Sequence, residues 1–137
     1  MSQPGAVVSV EPAVMPSTGA QIARHALATL GTPYQWGGES MQGFDCSGLV
    51  QFAYGKAGIA VPRTAAEQRR HASPVERDDL QPGDLVFFRI DRKIAHVGIY
   101  VEDGRFVHAP ATGREVSMER LDTPFYRSRL AGIGRFY

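Results

Sequence analysis

Apolar and polar positions alternate with two different periods along the chain. Ile22, Ala23, Ala26, Leu27 and Leu30 recur at helical spacing behind Thr18, which can cap that helix, and Gly31-Thr32-Pro33 stops it. A second helical stretch runs through Leu49, Val50, Phe52, Ala53 and Ala57. Asp45 stands before it as an N-cap residue, with a carboxylate suited to the free N–H groups of the first turn. Thr64-Ala65-Ala66-Glu67 fits the Ser/Thr-x-x-Glu capping box of a short helix ending near His71. From Asp84 onward the period changes to strands separated by turn residues: Leu85 to Phe88, His96 to Val101, Arg105 to His108, and Leu130 to Tyr137. Helices first and strands after predict an α+β domain with an antiparallel sheet. Residues 1–17, with three prolines and no sustained period, read as a flexible leader to one domain over 18–137. Residues 34–44 and 73–82 read as a loop and a surface connection.

At 137 residues the chain is large enough to bury roughly two-thirds of its unfolded surface without disulfide or metal staples. A net charge of +1, with no Lys/Arg run longer than two, gives nucleic-acid binding no electrostatic support. No stretch approaches the roughly 18 apolar residues of a membrane span. Residues 1–15 lack a basic n-region, and Glu11-Pro12 interrupts their weakly apolar run, so they do not read as a signal peptide.

The chemistry centres on Cys46, the single cysteine. A free cysteine usually packs as a small hydrophobe. This one is flanked by Asp45 and Ser47, bracketed by Gly43 and Gly48, and placed where a helix begins. There the unpaired N–H groups and the helix dipole favour a thiolate, the nucleophilic form. Of the four histidines, His25 and His71 fall within or at the end of helices and read as ordinary surface residues. His96 begins a strand and His108 ends one, positions from which side chains reach a site beside a sheet. A two-residue Asp103-Gly104 turn would send His96 and His108 to opposite faces. A three-residue loop of Glu102, Asp103 and Gly104 pairs Gly98 with His108 and sets both imidazoles on one face. The sequence permits both; only the second lets them serve one site, and that register is the expectation. No Cys-x-x-Cys or His-x-x-x-His spacing supports a metal site. Tyr34 and Trp36 are large anchors in a glycine-rich loop, equally readable as core aromatics.

Taken together, these segments resemble the NlpC-type cell-wall peptidases, a papain-like cysteine peptidase family. The resemblance is carried by Tyr34-x-Trp36-Gly37-Gly38, Phe44-Asp45-Cys46-Ser47-Gly48, and Val61-Pro62-Arg63-Thr64 with Gln68 beyond. It continues through Pro82 to Phe88, His96 to Tyr100 and Gly104 to Pro110, in family order and with family-like spacing from about residue 20 onward. The resemblance implies a papain-like fold, N-terminal helices packed on a central antiparallel sheet. It implies hydrolysis of peptidoglycan stem peptides between D-glutamate and the adjoining diamino acid, without metal or cofactor. It makes Cys46 the nucleophile, His96 its general base, and His108 the polar residue orienting His96. Tyr34 matches a tyrosine that helps bind the oxyanion, and Asp45, Ser47 and Arg63 fall on substrate-groove positions. Thr64 and Ala65 depart from the acidic residue and serine that members carry there. An amidase or acyltransferase of the same group, or an inactive wall-binding module, are the competing readings. The implied location is the cell envelope, periplasmic or extracellular, with the export signal absent from this sequence; a toxin delivered into other cells is the alternative. The expected state is a monomer.

Overall fold

A computed structural model describes residues 16–137. The leader expected over 1–17 lies outside the described residues except for Pro16 and Ser17.

The first helix, α1 (Thr18–Leu27), is capped by Ser17, not Thr18: the Ser17 hydroxyl accepts from the Ala20 N–H at 3.1 Å. It ends a turn before the sequence pattern suggested, so Leu27 and Leu30 stay substantially exposed while Ile22, Ala23 and Ala26 are buried. A small hairpin of β1 (Glu39–Ser40) and β2 (Gly43–Phe44) occupies the segment expected to be all loop. It leads into α2 (Cys46–Lys56), capped by Asp45 as expected. The short helix α3 (Ala65–His71) starts on Thr64, whose hydroxyl oxygen accepts from the Glu67 N–H at 3.2 Å.

Among the described residues, six strands form one antiparallel sheet. Two residues of the supposed surface connection, β3 (Ser73–Pro74), pair at its edge with β8 (Leu130–Arg135). The order continues through β4 (Leu85–Ile90), β5 (Lys93–Glu102), β6 (Arg105–His108) and β7 (Ser117–Arg120). The strand β7 has no apolar alternation to announce it. Ser117 and Glu119 are its half-buried positions, whereas Met118 is exposed, so its pattern is inverted.

The sheet buries both faces. Leu85, Phe87, Val97, Ile99, Val101 and Val107 join the helices in the main core. Val86, Phe88, Phe106 and Ile133 form a second cluster with Leu130 of β8 and with Leu121 and Tyr126 from the connection that carries α4 (Pro124–Arg127). At the far end of the sheet, fully buried Asp84 takes both guanidinium bonds of Arg135, at 2.7 and 2.8 Å. The Tyr137 hydroxyl donates to the same carboxylate at 2.6 Å.

The hairpin between β5 and β6 departs from the expected turn while delivering the expected register. Asp103 (φ 53°) and Gly104 (φ 76°) are both left-handed and form a two-residue turn that pairs Glu102 with Arg105. Val101 is then left unpaired in a bulge, and beyond it Tyr100 faces Phe106 and Ile99 faces Val107. The bulge supplies the extra residue that the longer loop was expected to supply. Continued one residue further, the ladder sets Gly98 opposite His108, so His96 and His108 share a face.

Candidate active site

The site is built where the start of α2 meets the start of β5. Asp45 organises the helix end. Its Oδ1 accepts from the Gly48 N–H at 2.7 Å and its Oδ2 from the Gly37 N–H at 3.2 Å, which holds the Trp36-Gly37-Gly38 loop against the helix. Gly48 is required here for a second reason: a Cβ would run into the Gly38 carbonyl oxygen. The Arg63 guanidinium grips the same carboxylate with both Nη atoms, at 3.1 and 2.8 Å, and reaches the Ser47 hydroxyl at 2.9 Å. Its Nε lies 3.3 Å from Glu39. Asp45, Ser47 and Arg63 are therefore one polar unit at the mouth of the helix. Gln68, fully buried, donates from Nε2 to the carbonyls of Pro62 and Ser47 at 2.7 and 3.2 Å, and so ties the Arg63 segment to that mouth.

A groove of about 490 Å³ opens over this unit, lined by Tyr34, Trp36, Cys46, Asp45, Ser47 and Arg63, with Ile94 and Ala95 from β5 opposite. Trp36 is 86% exposed, so it stands on the rim and is no core aromatic. Tyr34 packs partly against the core and is fixed by its N–H to the Arg114 carbonyl at 2.9 Å. It also lines a neighbouring groove with Arg114 and Glu115.

Cys46 occupies the first turn of α2 and is partly exposed in the groove. Its Sγ lies 3.9 Å from the Ala95 carbonyl oxygen, and the Val97 N–H favours its ionised form. The thiol thus sits against the backbone on both sides of His96. Burial pushes the Cys46 thiol above its ordinary value, and the Asp45 charge adds to this, against the opposing N–H groups of Val97, Ser47 and Cys46 itself. Loss of hydration outweighs the helix N-terminus. The resting sulfur is accordingly not held ionised in the way the local sequence suggested.

Both imidazoles lie behind the groove. His96 Nε2 and His108 Nδ1 are 2.7 Å apart, which leaves Nδ1 as the second ring nitrogen of His96. They are set in the aromatic cluster, with Phe88 against His96 and Phe106 and Tyr126 against His108. Burial lowers His96 to about 4. Burial, with the His96 and Arg114 charges, lowers His108 to about 3. Each ring is neutral at physiological pH. The polar wall behind His108, made by Ser117 and Glu119 of β7, escaped the sequence reading because its signal is the inverted alternation noted above.

Comparison with known proteins places this chain among relatives. The sequence model of the NlpC/P60 family matches residues 31–135. The chain is 45% identical over 112 residues to murein DD-endopeptidase MepH of Escherichia coli, covering 77% of this chain and 41% of that protein. It is 41% identical over 110 residues to a gamma-D-glutamyl-L-lysine dipeptidyl-peptidase of Bacillus cereus, covering 78% of this chain and 33% of the relative. The crystal structure of an NlpC/P60 family protein from Bacillus cereus superposes with a TM-score of 0.82 at 36% identity, over 90% of this chain and 41% of that one. The chain thus spans less than half the length of each.

Proposed function

Because the chain belongs to the NlpC/P60 family, we propose that residues 18–137 form the catalytic domain of a cysteine endopeptidase that cuts peptidoglycan stem peptides in the cell envelope. The bond is the one between D-glutamate and the diamino acid beside it. One observation carries the reading: a partly exposed thiol in the first turn of a helix faces the backbone flanking a histidine, whose far nitrogen is held by a second buried histidine.

The neutral thiol and neutral imidazole set the order of events. His96 Nδ1 takes the proton of Cys46 as the sulfur attacks the amide carbonyl carbon, so the thiolate forms when it is used. The tetrahedral oxyanion is met by the Cys46 backbone N–H, free of intrahelical bonds at the first helical position, and by the Tyr34 hydroxyl. The His96 imidazolium, its Nε2–H donated to His108, then protonates the leaving amine and the C–N bond breaks. Water, giving its proton to His96, hydrolyses the thioester and restores the thiol. Asp45, Ser47 and Arg63 shape the groove on the acyl side.

Digestion of purified wall fragments, read by mass spectrometry, tests the proposal. New D-glutamyl carboxyl termini are expected from the unaltered protein and none from Cys46→Ala, whose fold should survive because little packing is removed. Full activity in Cys46→Ala, or new termini at another bond, would overturn it.

A further inference from the structure

The proton positions in the histidine pair require something the pair does not contain. For His96 to accept a proton at Nδ1, its own proton must sit on Nε2 and be donated to His108 Nδ1 across the 2.7 Å contact. A neutral His108 that accepts at Nδ1 carries its proton on Nε2. That atom is fully buried and has no hydrogen-bond partner among the described residues. The Ser117 hydroxyl, on the residue directly opposite His108 in the ladder, is likewise unpartnered. An N–H in this position is costly without an acceptor.

The nearest carboxylate among the described residues is that of Glu119, with Oε2 4.0 Å from His108 Nε2. The register explains its place. His108 faces Ser117 and Phe106 faces Glu119, so Glu119 is the diagonal neighbour of His108 on the same sheet face. Its side chain is 31% exposed and has three rotatable bonds, so a movement of about 1 Å closes the gap to hydrogen-bond length. Catalytic hydrogen bonds commonly tighten in this way when substrate binds. The charged and titratable groups around this point are His96, Arg114 and Tyr126.

We propose that Glu119 is a positioning residue of the peptidase, accepting from His108 Nε2–H and thereby fixing the tautomer that leaves His96 Nδ1 free as the base. The inference rests on the cysteine peptidase reading. The line Glu119, His108, His96 runs from a carboxylate to the histidine whose preceding carbonyl, that of Ala95, faces the Cys46 sulfur. It stabilises the imidazolium as it forms without any proton leaving the histidine pair.

Two measurements on the full chain test this. Nitrogen-15 spectra of the histidine rings report tautomers without substrate: His108 should carry its proton on Nε2 in the unaltered protein and should become a mixture in Glu119→Ala. In kinetics with stem-peptide substrate, Glu119→Ala should lower kcat about tenfold with KM unchanged, the equivalent of one lost hydrogen bond in the transition state. Glu119→Gln, which keeps an acceptor oxygen and the side-chain shape, should recover part of that loss. A His108 proton on Nδ1 in the unaltered protein, or an unchanged kcat in Glu119→Ala, would overturn the assignment. Absence of turnover in the unaltered protein would instead strike the peptidase reading, and the ring spectra would still decide the role of Glu119 in fixing the tautomer.

Discussion

His96 and His108 meet ring to ring at 2.7 Å although they belong to different strands and stand diagonally across the ladder. The contact exists because the Val101 bulge adds one residue to β5 just before the two-residue turn. Without the bulge, every side chain before it would point to the other face.

Replacing His108 therefore removes the partner of His96 Nε2 and frees the His96 ring to turn or change tautomer. His108→Ala should lower kcat by about 10²-fold or more, at the lower end of what general acid–base groups contribute. His108→Gln, which restores an acceptor, should lose less. Steady-state kinetics with stem-peptide substrate checks both.

The titration positions fix the pH dependence. Only neutral His96 accepts a proton, and its value of about 4 means the neutral form dominates above that pH. Activity should hold from neutrality down to about pH 5 and fall about tenfold per unit below pH 4. The Cys46 thiol, raised above its ordinary 9.0, should be alkylated slowly at pH 6 and faster as the pH rises past 9. An acid limb of kcat/KM near 6.5, or fast alkylation at pH 6, would show a preformed ion pair instead.

Asp45 and Arg63 are coupled by two hydrogen bonds, in a place only 15% exposed on the Asp45 side. Asp45→Ala loses the helix cap and leaves Arg63 with only Glu39 and the Ser47 hydroxyl, so it should destabilise by at least about 1 kcal/mol. The double variant with Arg63→Met should be less destabilised than the sum of the singles, by about 0.5 kcal/mol or more. Urea unfolding of the four proteins closes the cycle.

Asp84 is fully buried and satisfies Arg135 and Tyr137 together. Asp84→Ala removes both carboxylate bonds of the Arg135 guanidinium, which is 24% exposed and keeps the Asp79 carbonyl, and leaves the Tyr137 hydroxyl to donate to the Pro82 carbonyl alone, so a loss of about 3 kcal/mol is expected. A fall in Tm with kcat unchanged at low temperature is the result to look for, since this network lies at the opposite end of the sheet.

How much of this was legible in the chain itself follows the range of the forces involved. The Asp45 and Thr64 caps, the apolar face of α2 and the main strands were readable because caps and periodicity are settled within a few residues. The substitution of Ser17 for Thr18 as cap shows the usual one-residue uncertainty at a helix end. Strand β7 was hidden because its half-buried positions are the polar Ser117 and Glu119 while Met118 is exposed, the reverse of the amphipathic rule. The bulge, the exposure of Trp36 and the protonation of Cys46 were decided elsewhere. Each depends on what distant segments bring alongside: a neighbouring strand, open solvent, or enough protein around a sulfur to strip its water. Sequence alone determined the parts and the chemistry they carry. Tertiary structure decided which faces they share and which of them are charged, because register and desolvation are properties of the packed chain and not of any segment in it.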